Sequence, residues 1–514
     1  MLLHQLFEHT TQRVPEKIAL TCDGHHYTYA ELGKRVDQLA ALLRARGVKR
    51  GDRVALFLDN GIEMVVGVFA ALRIGAIFMP VNPLTKHDKL TFILNNARAS
   101  ALITHIALCG IWQDALAANS TIHTCVVASN SASEFRTTSS LERSVSFPAP
   151  NESFDGASVD SNNVDQDLAS IIYTSGSTGS PKGVMLTHLN MVSAVHSVSG
   201  YLHYREDDVI FCALPLAFDY GLYQLLMSVK VGATLLLGRS FAFPIAVLER
   251  MAEERVTVFP GVPTMFSMLI NLKNLERFDL SSLRMVTNTA AALSEEHIRR
   301  LRALFPQATL FSMYGLTECK RVTYLPPEQL DKRPTSVGRG MPNEEVWLVD
   351  DAGTRLPNGS TGELVVRGSN VMRGYWENPV ETAKSLKPGP IPGEMVLYSG
   401  DIFRTDDEGW LYFVARRDDI IKSRGEKVSP REVENAIYSL EGVLDAVVVG
   451  VQDDLLGEAV KAFVVRKDGY ALSERDVIRH CLAHLENFMA PKHVEFVLEL
   501  PKTHTGKLKR TGLI

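Results

Sequence analysis

The feature that most restricts the fold is a repeated alternation of helical-period segments with short runs that are apolar without a break. Ala30 to Arg46 sets Leu32, Val36, Leu39, Leu42 and Leu43 on one helical face, Gly47 and Gly51 punctuate it, and Arg53 to Leu58 then reads as a strand. Ile62 to Ile74 repeats the helical period, and Ala76 to Val81 the strand. A strand that is apolar at every position has both faces buried, so helices must cover it on both sides. The pattern predicts an α/β fold with parallel or mixed sheets. It resumes from Leu168 to Val349, with further strands expected at 170–173, 209–213, 233–237, 256–259 and 283–286.

Two stretches break the pattern. From Ala118 to Gln166 the chain is rich in Ser, Asn, Thr and Asp, which predicts a loose surface excursion around the strand-like Val126-Val127. After Gly362 the strands shorten between glycine turns, at 362–368 and 409–414, as in a small β-barrel-like unit. The charged run Arg416-Arg-Asp-Asp419 leads into a compact tail with helices expected at 430–440 and 473–485 and strands at 444–450 and 459–465. That tail reads as a small α+β C-terminal domain, mobile about a polar link.

The 514 residues correspond to about three structural units, and 46% apolar with 22% charged residues is the balance of a globular protein. A net charge of −5 gives no basic excess for a nucleic-acid partner. The six cysteines are scattered without a metal-ligand spacing, as in a reducing compartment. No run reaches the length of a membrane span, so a cytoplasmic protein without stable membrane insertion is expected.

The sharpest chemical signal is Tyr173-Thr-Ser-Gly-Ser-Thr-Gly-Ser-Pro-Lys-Gly183, after an apolar run and before what reads as a helix from Met185 to Val198. Glycines let the backbone approach an anion, hydroxyls and N–H groups donate to it, and Lys182 adds positive charge. A flexible Gly/Ser linker is the alternative, although linkers rarely join two apolar elements. The spacing is not that of a P-loop NTPase.

Together with Met313-Tyr-Gly-Leu-Thr-Glu318, Gly362-Glu-Leu364, Tyr398-Ser-Gly-Asp401, Arg416-Arg-Asp-Asp-Ile-Ile-Lys-Ser-Arg-Gly425 and Pro501-Lys-Thr-His-Thr-Gly-Lys507, this loop resembles the acyl-adenylate-forming superfamily. That superfamily includes AMP-forming acyl-CoA synthetases, carrier-protein-loading adenylation enzymes and luciferases, and the motifs fall in its order along essentially the whole chain.

The resemblance implies a large ATP- and acid-binding domain over 1–415, a hinge at 416–418 and a lid over 419–514. It implies that Thr174, Ser175, Gly176, Ser177, Thr178, Gly179 and Lys182 cradle phosphates. Tyr314 would stack on adenine, Thr317 bond the α-phosphate and Glu318 hold Mg2+. Ala290 and Ala291, where the family has a Gly-Ala-Pro turn, would offer backbone contact at the adenine edge. Asp401 and Arg416 would hold the ribose, Asp401 ending a strand before a turn. Asp418 would be the pivot, Lys422 and Gly425 would lie at the hinge and thiol channel, and Lys507 would stabilise the charge that builds as adenylate forms.

Leu214 to Gln224 resembles the family's acid-binding segment, with Phe218 where many members carry His. Asp219 beside it resembles the residue that pairs with the α-amine in amino-acid-activating enzymes; alternatively it caps a helix starting near Gly221. Tyr223, Gly261, Thr287 and Cys319 complete the expected pocket, and Lys320 and Arg321 are unusual neighbours for Glu318.

The leading expectation is an AMP-forming acid–thiol ligase using ATP and Mg2+ on a fatty or related acid, with CoA or the pantetheine of a separate carrier protein as acceptor. The alternatives are a stand-alone adenylation enzyme for a small or cyclic amino acid such as proline, and a non-catalytic nucleotide-binding protein.

Overall fold

The structure is a computed structural model that describes residues 1–129, 143–149, 152, 162–174, 181–272, 274–289, 293, 295–423, 426–453, 457–485, 487–501 and 513. Two large sheets form its body. The first has nine strands, in the order Arg339–Gly340, Thr323–Leu325, Thr309–Tyr314, Met285–Asn288, Val258–Gly261, Val209–Cys212, Thr234–Leu237, Ile18–Cys22 and His25–Thr28. The second has eight, in the order Gly374–Tyr375, Lys182–Thr187, Leu168–Thr174, Ile77–Val81, Arg53–Phe57, Ala101–His105, Thr124–Ala128 and Ser144–Ser146. Both are parallel in the middle and antiparallel at one or both edges.

One apolar core joins the two sheets. It contains Leu20 and Leu235 from the first, Val54 and Ile103 from the second, and much of the helix Ile62–Arg73. Ten of that helix's 12 residues are buried, the state expected of a helix that is apolar all round. A second core, with Trp112, lies on the outer face of the eight-stranded sheet.

Asn60 ties the sheets together where no apolar contact could. Its Nδ2 donates to the carbonyls of Leu214 (3.0 Å) and Gly238 (2.9 Å), and its Oδ1 accepts from Leu216 N–H (2.8 Å). A residue just past the strand Arg53–Phe57 thus pins the turn that leads to Asp219.

The expected small β-unit is a five-stranded antiparallel sheet of Glu344–Val349, Thr361–Gly368, Met395–Thr405, Leu386–Pro388 and Leu411–Arg416. The C-terminal part has a sheet of its own, with the helices Pro430–Tyr438 and Glu474–His484 packed in its apolar cluster.

Three local expectations change. Lys182–Thr187 is a strand, antiparallel to Leu168–Thr174, and the helix starts only at His188. Val184 and Leu186 are fully buried on the sheet, and Thr187 caps the helix by accepting from Asn190 N–H at 3.1 Å. Asp401 lies within the strand Met395–Thr405 and does not end it; Gly400 at φ +72° supplies the kink that read as a turn. Part of the polar stretch is ordered sheet, since Ser144–Ser146 adds a parallel edge strand. Among the described residues no helix is long and apolar enough to cross a membrane.

Replacing Asn60 by Ala leaves the Gly238 carbonyl and the Leu216 N–H without their side-chain partner and leaves the Leu214 carbonyl with only the Cys212 thiol at 3.5 Å. The expected loss is about 2 to 4 kcal/mol of unfolding free energy, measured by denaturant titration with the m-value unchanged.

Candidate active site

The site gathers where strands end. Gly261 pairs with Asn288 and Asn288 with Ser312 in adjacent parallel strands, so Gly261, Thr287 and Tyr314 emerge along one carboxyl edge. Clefts beyond the carboxyl ends of parallel strands are the usual binding places in open α/β sheets.

Thr174 and Lys182 face each other in register across the mouth of the hairpin. The rest of the loop, Ser175, Gly176, Ser177, Thr178 and Gly179, lies outside the described residues, as do Ala290, Ala291, Gly425 and Lys507 and the side chains of Asp418 and Lys422. The Lys182 ammonium donates to Glu381 Oε2 and stands 5.5 Å from the Tyr375 ring centroid. Glu381 is held below the usual carboxylate range by these hydrogen bonds from Lys182 and Lys384.

Tyr375 sits on the two-residue strand that hooks onto Val184, and its hydroxyl donates to Glu318 Oε1 at 2.8 Å. The Glu318 carbonyl also accepts from Met372 N–H at 2.7 Å, so the segment 372–375 grips Glu318 at side chain and backbone. Half-buried Thr317 lies beside it. One carboxylate held in this way suits Mg2+, which usually takes one or two protein carboxylates and completes its shell with phosphates and water.

Tyr314 Oη donates to Asp401 Oδ2 at 2.6 Å, and its ring meets Phe403 edge-on at 4.8 Å. Burial, then the Asp401 charge, pushes this phenol well above its ordinary range and keeps it a donor. Arg416 is the cross-strand partner of Asp401, with Nε 3.8 Å from Oδ1. The 15 positions that separate them in sequence (416 − 401) are the length of a hairpin. Next in the chain, Arg417 bonds buried Glu363 at 3.0 Å and Asp351 at 2.8 Å. Glu363 in turn accepts from Gly400 N–H at 2.9 Å, which couples the link region to the strand that carries Asp401.

On the acid side, Asp219 is the first residue of the helix Asp219–Val231 and accepts from Tyr220 N–H at 2.9 Å, so the helix starts two residues before Gly221. Asp219 also faces Lys320 Nζ at 3.5 Å. Tyr220 Oη donates to the Thr287 carbonyl at 2.8 Å, and the buried Tyr223 ring lies 5.4 Å from Lys320 Nζ. Half-buried Phe218 packs against the main core. A Cβ on Gly261 would come within 2.5 Å of the Phe266 ring, so only glycine fits there. Burial pushes the Cys319 thiol well above its ordinary range, which makes it packing and not a nucleophile.

Residues 7–376 match the AMP-binding enzyme family, and residues 432–507 match the AMP-binding enzyme C-terminal domain. The chain belongs to the AMP-binding enzyme family. It is 33% identical to a long-chain-fatty-acid–CoA ligase of Salmonella typhimurium, over 99% of this chain and 94% of that one. It is also 30% identical to tyrocidine synthase 2 of Brevibacillus parabrevis, over 99% of this chain but 14% of that much longer protein. Among solved structures it resembles the anthranilate CoA ligase AuaEII in complex with anthranoyl-AMP, with a TM-score of 0.87, 27% identity, and 99% and 95% of the two chains covered.

In this AMP-binding enzyme the structure places the expected Thr174, Lys182, Tyr314, Thr317, Glu318, Asp401 and Arg416 near these strand ends and adds Tyr375, Glu381 and Glu363 as contact partners to which the motifs assign no role. Gly362-Glu-Leu364 is one of the motifs, but the motif itself assigns its carboxylate no role. Tyr375→Phe keeps the ring against Lys182 and removes only the bond to Glu318. It is expected to lower kcat for adenylate formation about tenfold and to raise the Mg2+ concentration needed for half-maximal rate, read by pyrophosphate release across a magnesium titration.

Proposed function

We propose that the chain is an AMP-forming acid–thiol ligase that activates a carboxylic acid with ATP and transfers the acyl group to CoA. The observation that carries this reading is the chain of contacts Lys182, Tyr375, Glu318, which puts a phosphate-type cation and a magnesium-type carboxylate on one aromatic side chain. Tyr314, Asp401 and Arg416 stand alongside as a nucleoside clamp.

In the first half-reaction an oxygen of the acid attacks the α-phosphorus, the bond to the bridging oxygen breaks, and pyrophosphate leaves. Thr174 and Lys182 hold the departing phosphates, Thr317 donates to the α-phosphate, and Tyr314 and Asp401 fix adenine and ribose. Mg2+ held by Glu318 would neutralise phosphate charge. None of this needs a side-chain nucleophile; positioning and electrostatics suffice. In the second half-reaction the thiol sulfur attacks the acyl carbon, AMP leaves, and the thiol proton is released.

The roles of Lys507 in the first step and of Lys422 and Gly425 in the second follow from the family resemblance. So does the division into a body over 1–415, a hinge at 416–418 with Asp418 as pivot, and a lid over 419–514. The separate match of 432–507 to a C-terminal domain supports that division. Carrier-bound pantetheine is the other acceptor this chemistry allows, and likeness to tyrocidine synthase 2 supports keeping it as a second reading. Six free cysteines fit a cytoplasmic enzyme.

ATP–pyrophosphate exchange tests the first step and thioester formation with CoA the second. Lys507→Ala is expected to depress exchange at least 100-fold while thioester formation from a supplied acyl-adenylate falls less than tenfold. Equal loss in both half-reactions would sink the role given to Lys507.

A further inference from the structure

Cys319, Lys320 and Arg321 follow Glu318 directly, yet their side chains do not face the phosphate side. Lys320 (φ +43°) and Arg321 (φ +54°) both take the left-handed conformation that non-glycine residues adopt rarely and at a cost. This double turn is accommodated against Gly315, where a Cβ would lie 2.7 Å from the Arg321 backbone. Its effect is to send both cations toward the acid segment. Lys320 reaches Asp219 and Tyr223, and the Arg321 guanidinium lies 4.4 Å from the Tyr220 ring centroid. Glu318 meanwhile contacts Tyr375 and the 372–375 segment on the other side.

The two cations are almost fully enclosed, at 2% exposure for Lys320 and 5% for Arg321. Among the described residues their one ion pair is that of Lys320 with Asp219, at 3.5 Å. Among the described residues, Arg321 Nε and Nη2, Lys320 Nζ and Tyr223 Oη are buried without a hydrogen-bond partner. Buried Glu344 shares Asn370 with the Arg321 carbonyl but makes no ion pair with Arg321. Asp219 is the one carboxylate within ion-pair distance of either cation among the described residues, Glu318 acts on Lys320 only from further away, and several donors are left over. A buried guanidinium without a counter-ion is costly, and a ligand that brings the counter-charge removes that cost.

Resting on the ligase reading above, we infer that Arg321 and Lys320 form an anion subsite in the acid pocket, and that the preferred substrate is a compact acid with a second anionic group. One carboxylate reacts at the α-phosphate beside Thr317 and Glu318. The second meets Arg321, with Tyr220 as the platform beneath the guanidinium and Tyr223 Oη as an additional donor. Asp219 is engaged by Lys320, so a lone α-ammonium placed there would meet a neighbouring cation. An unsubstituted alkyl chain would leave the Arg321 and Tyr223 donors unpaired. A pocket built to bond a polar group discriminates strongly against analogues that lack it.

The test is ATP–pyrophosphate exchange by the full-length enzyme over four sets of acids: short dicarboxylates, amino-substituted dicarboxylates, straight-chain monocarboxylates and neutral amino acids. Dicarboxylates, with or without the amine, are expected to exceed monocarboxylates of equal length about 100-fold in kcat/KM. Arg321→Met is expected to collapse that ratio by about the same factor, with partial recovery in Arg321→Lys. Removing an uncompensated charge should also raise the melting temperature of the ligand-free protein, whereas loss of a purely structural cation would lower it. Preference for monocarboxylates or neutral amino acids, or an Arg321→Met variant that slows all acids equally, overturns the inference and leaves the ligase reading standing. Exchange with no acid at all, in protein that still binds ATP, overturns both. Should Arg321→Met not fold, the wild-type panel decides alone.

Discussion

The Tyr375 hydroxyl is the point on which the proposed phosphate end of the site depends. Glu318 follows the strand Thr309–Tyr314 of the nine-stranded sheet, whereas Lys182 and Tyr375 belong to the edge of the eight-stranded one. A nucleotide bound at the carboxyl edge of the first sheet can be gripped by the hairpin of the second only if the two are held in register. Tyr375 does this with one hydrogen bond and one ring face. Glu381 complements it by giving Lys182 a partner before any phosphate arrives. The pair is only partly exposed, so its charge is screened less than that of a surface pair, and incoming phosphate must compete with Glu381 for the ammonium.

The nucleoside end is built differently. Asp401 and Arg416 are cross-strand neighbours in one small sheet, and Tyr314 reaches them from the large one. Arg417, one residue further, is tied back to Glu363, and Glu363 to the kink at Gly400. A movement of the C-terminal part that displaced Arg417 would therefore be felt at the backbone beside Asp401. In this arrangement the link between the parts of the molecule and the proposed ribose clamp share one buried carboxylate.

Much of this was legible in sequence because the information was local. Unbroken apolar runs fixed the buried strands, and the motif residues sit on short segments whose chemistry is visible in a few positions. What stayed hidden was mostly long-range. Tyr375 is 57 positions from Glu318, and Glu381 is 199 from Lys182; spacing alone cannot reveal such pairs. Asn60 carries no signal in the sequence, because its three partners lie more than 150 positions away. Residues 185–187 fit either a helix or a strand by pattern, because apolar residues just before a helix suit both, and only the partner strand decides between them.

The acid pocket shows why family motifs constrain mechanism more tightly than substrate. The residues proposed to handle phosphate and ribose sit at backbone positions fixed by sheet register, so their geometry follows once the strands form. The acid side depends instead on how the chain turns after Glu318. Two consecutive left-handed residues there reverse the direction of two long cationic side chains, and a single nearby glycine, Gly315, makes room for the turn. Asp219 taken alone suggests an amine partner; the same Asp219 facing Lys320, with Arg321 uncompensated beside it, gives the pocket the opposite polarity. On the anion-subsite reading, selectivity in this chain is set by a local backbone conformation that the adenylating machinery does not require.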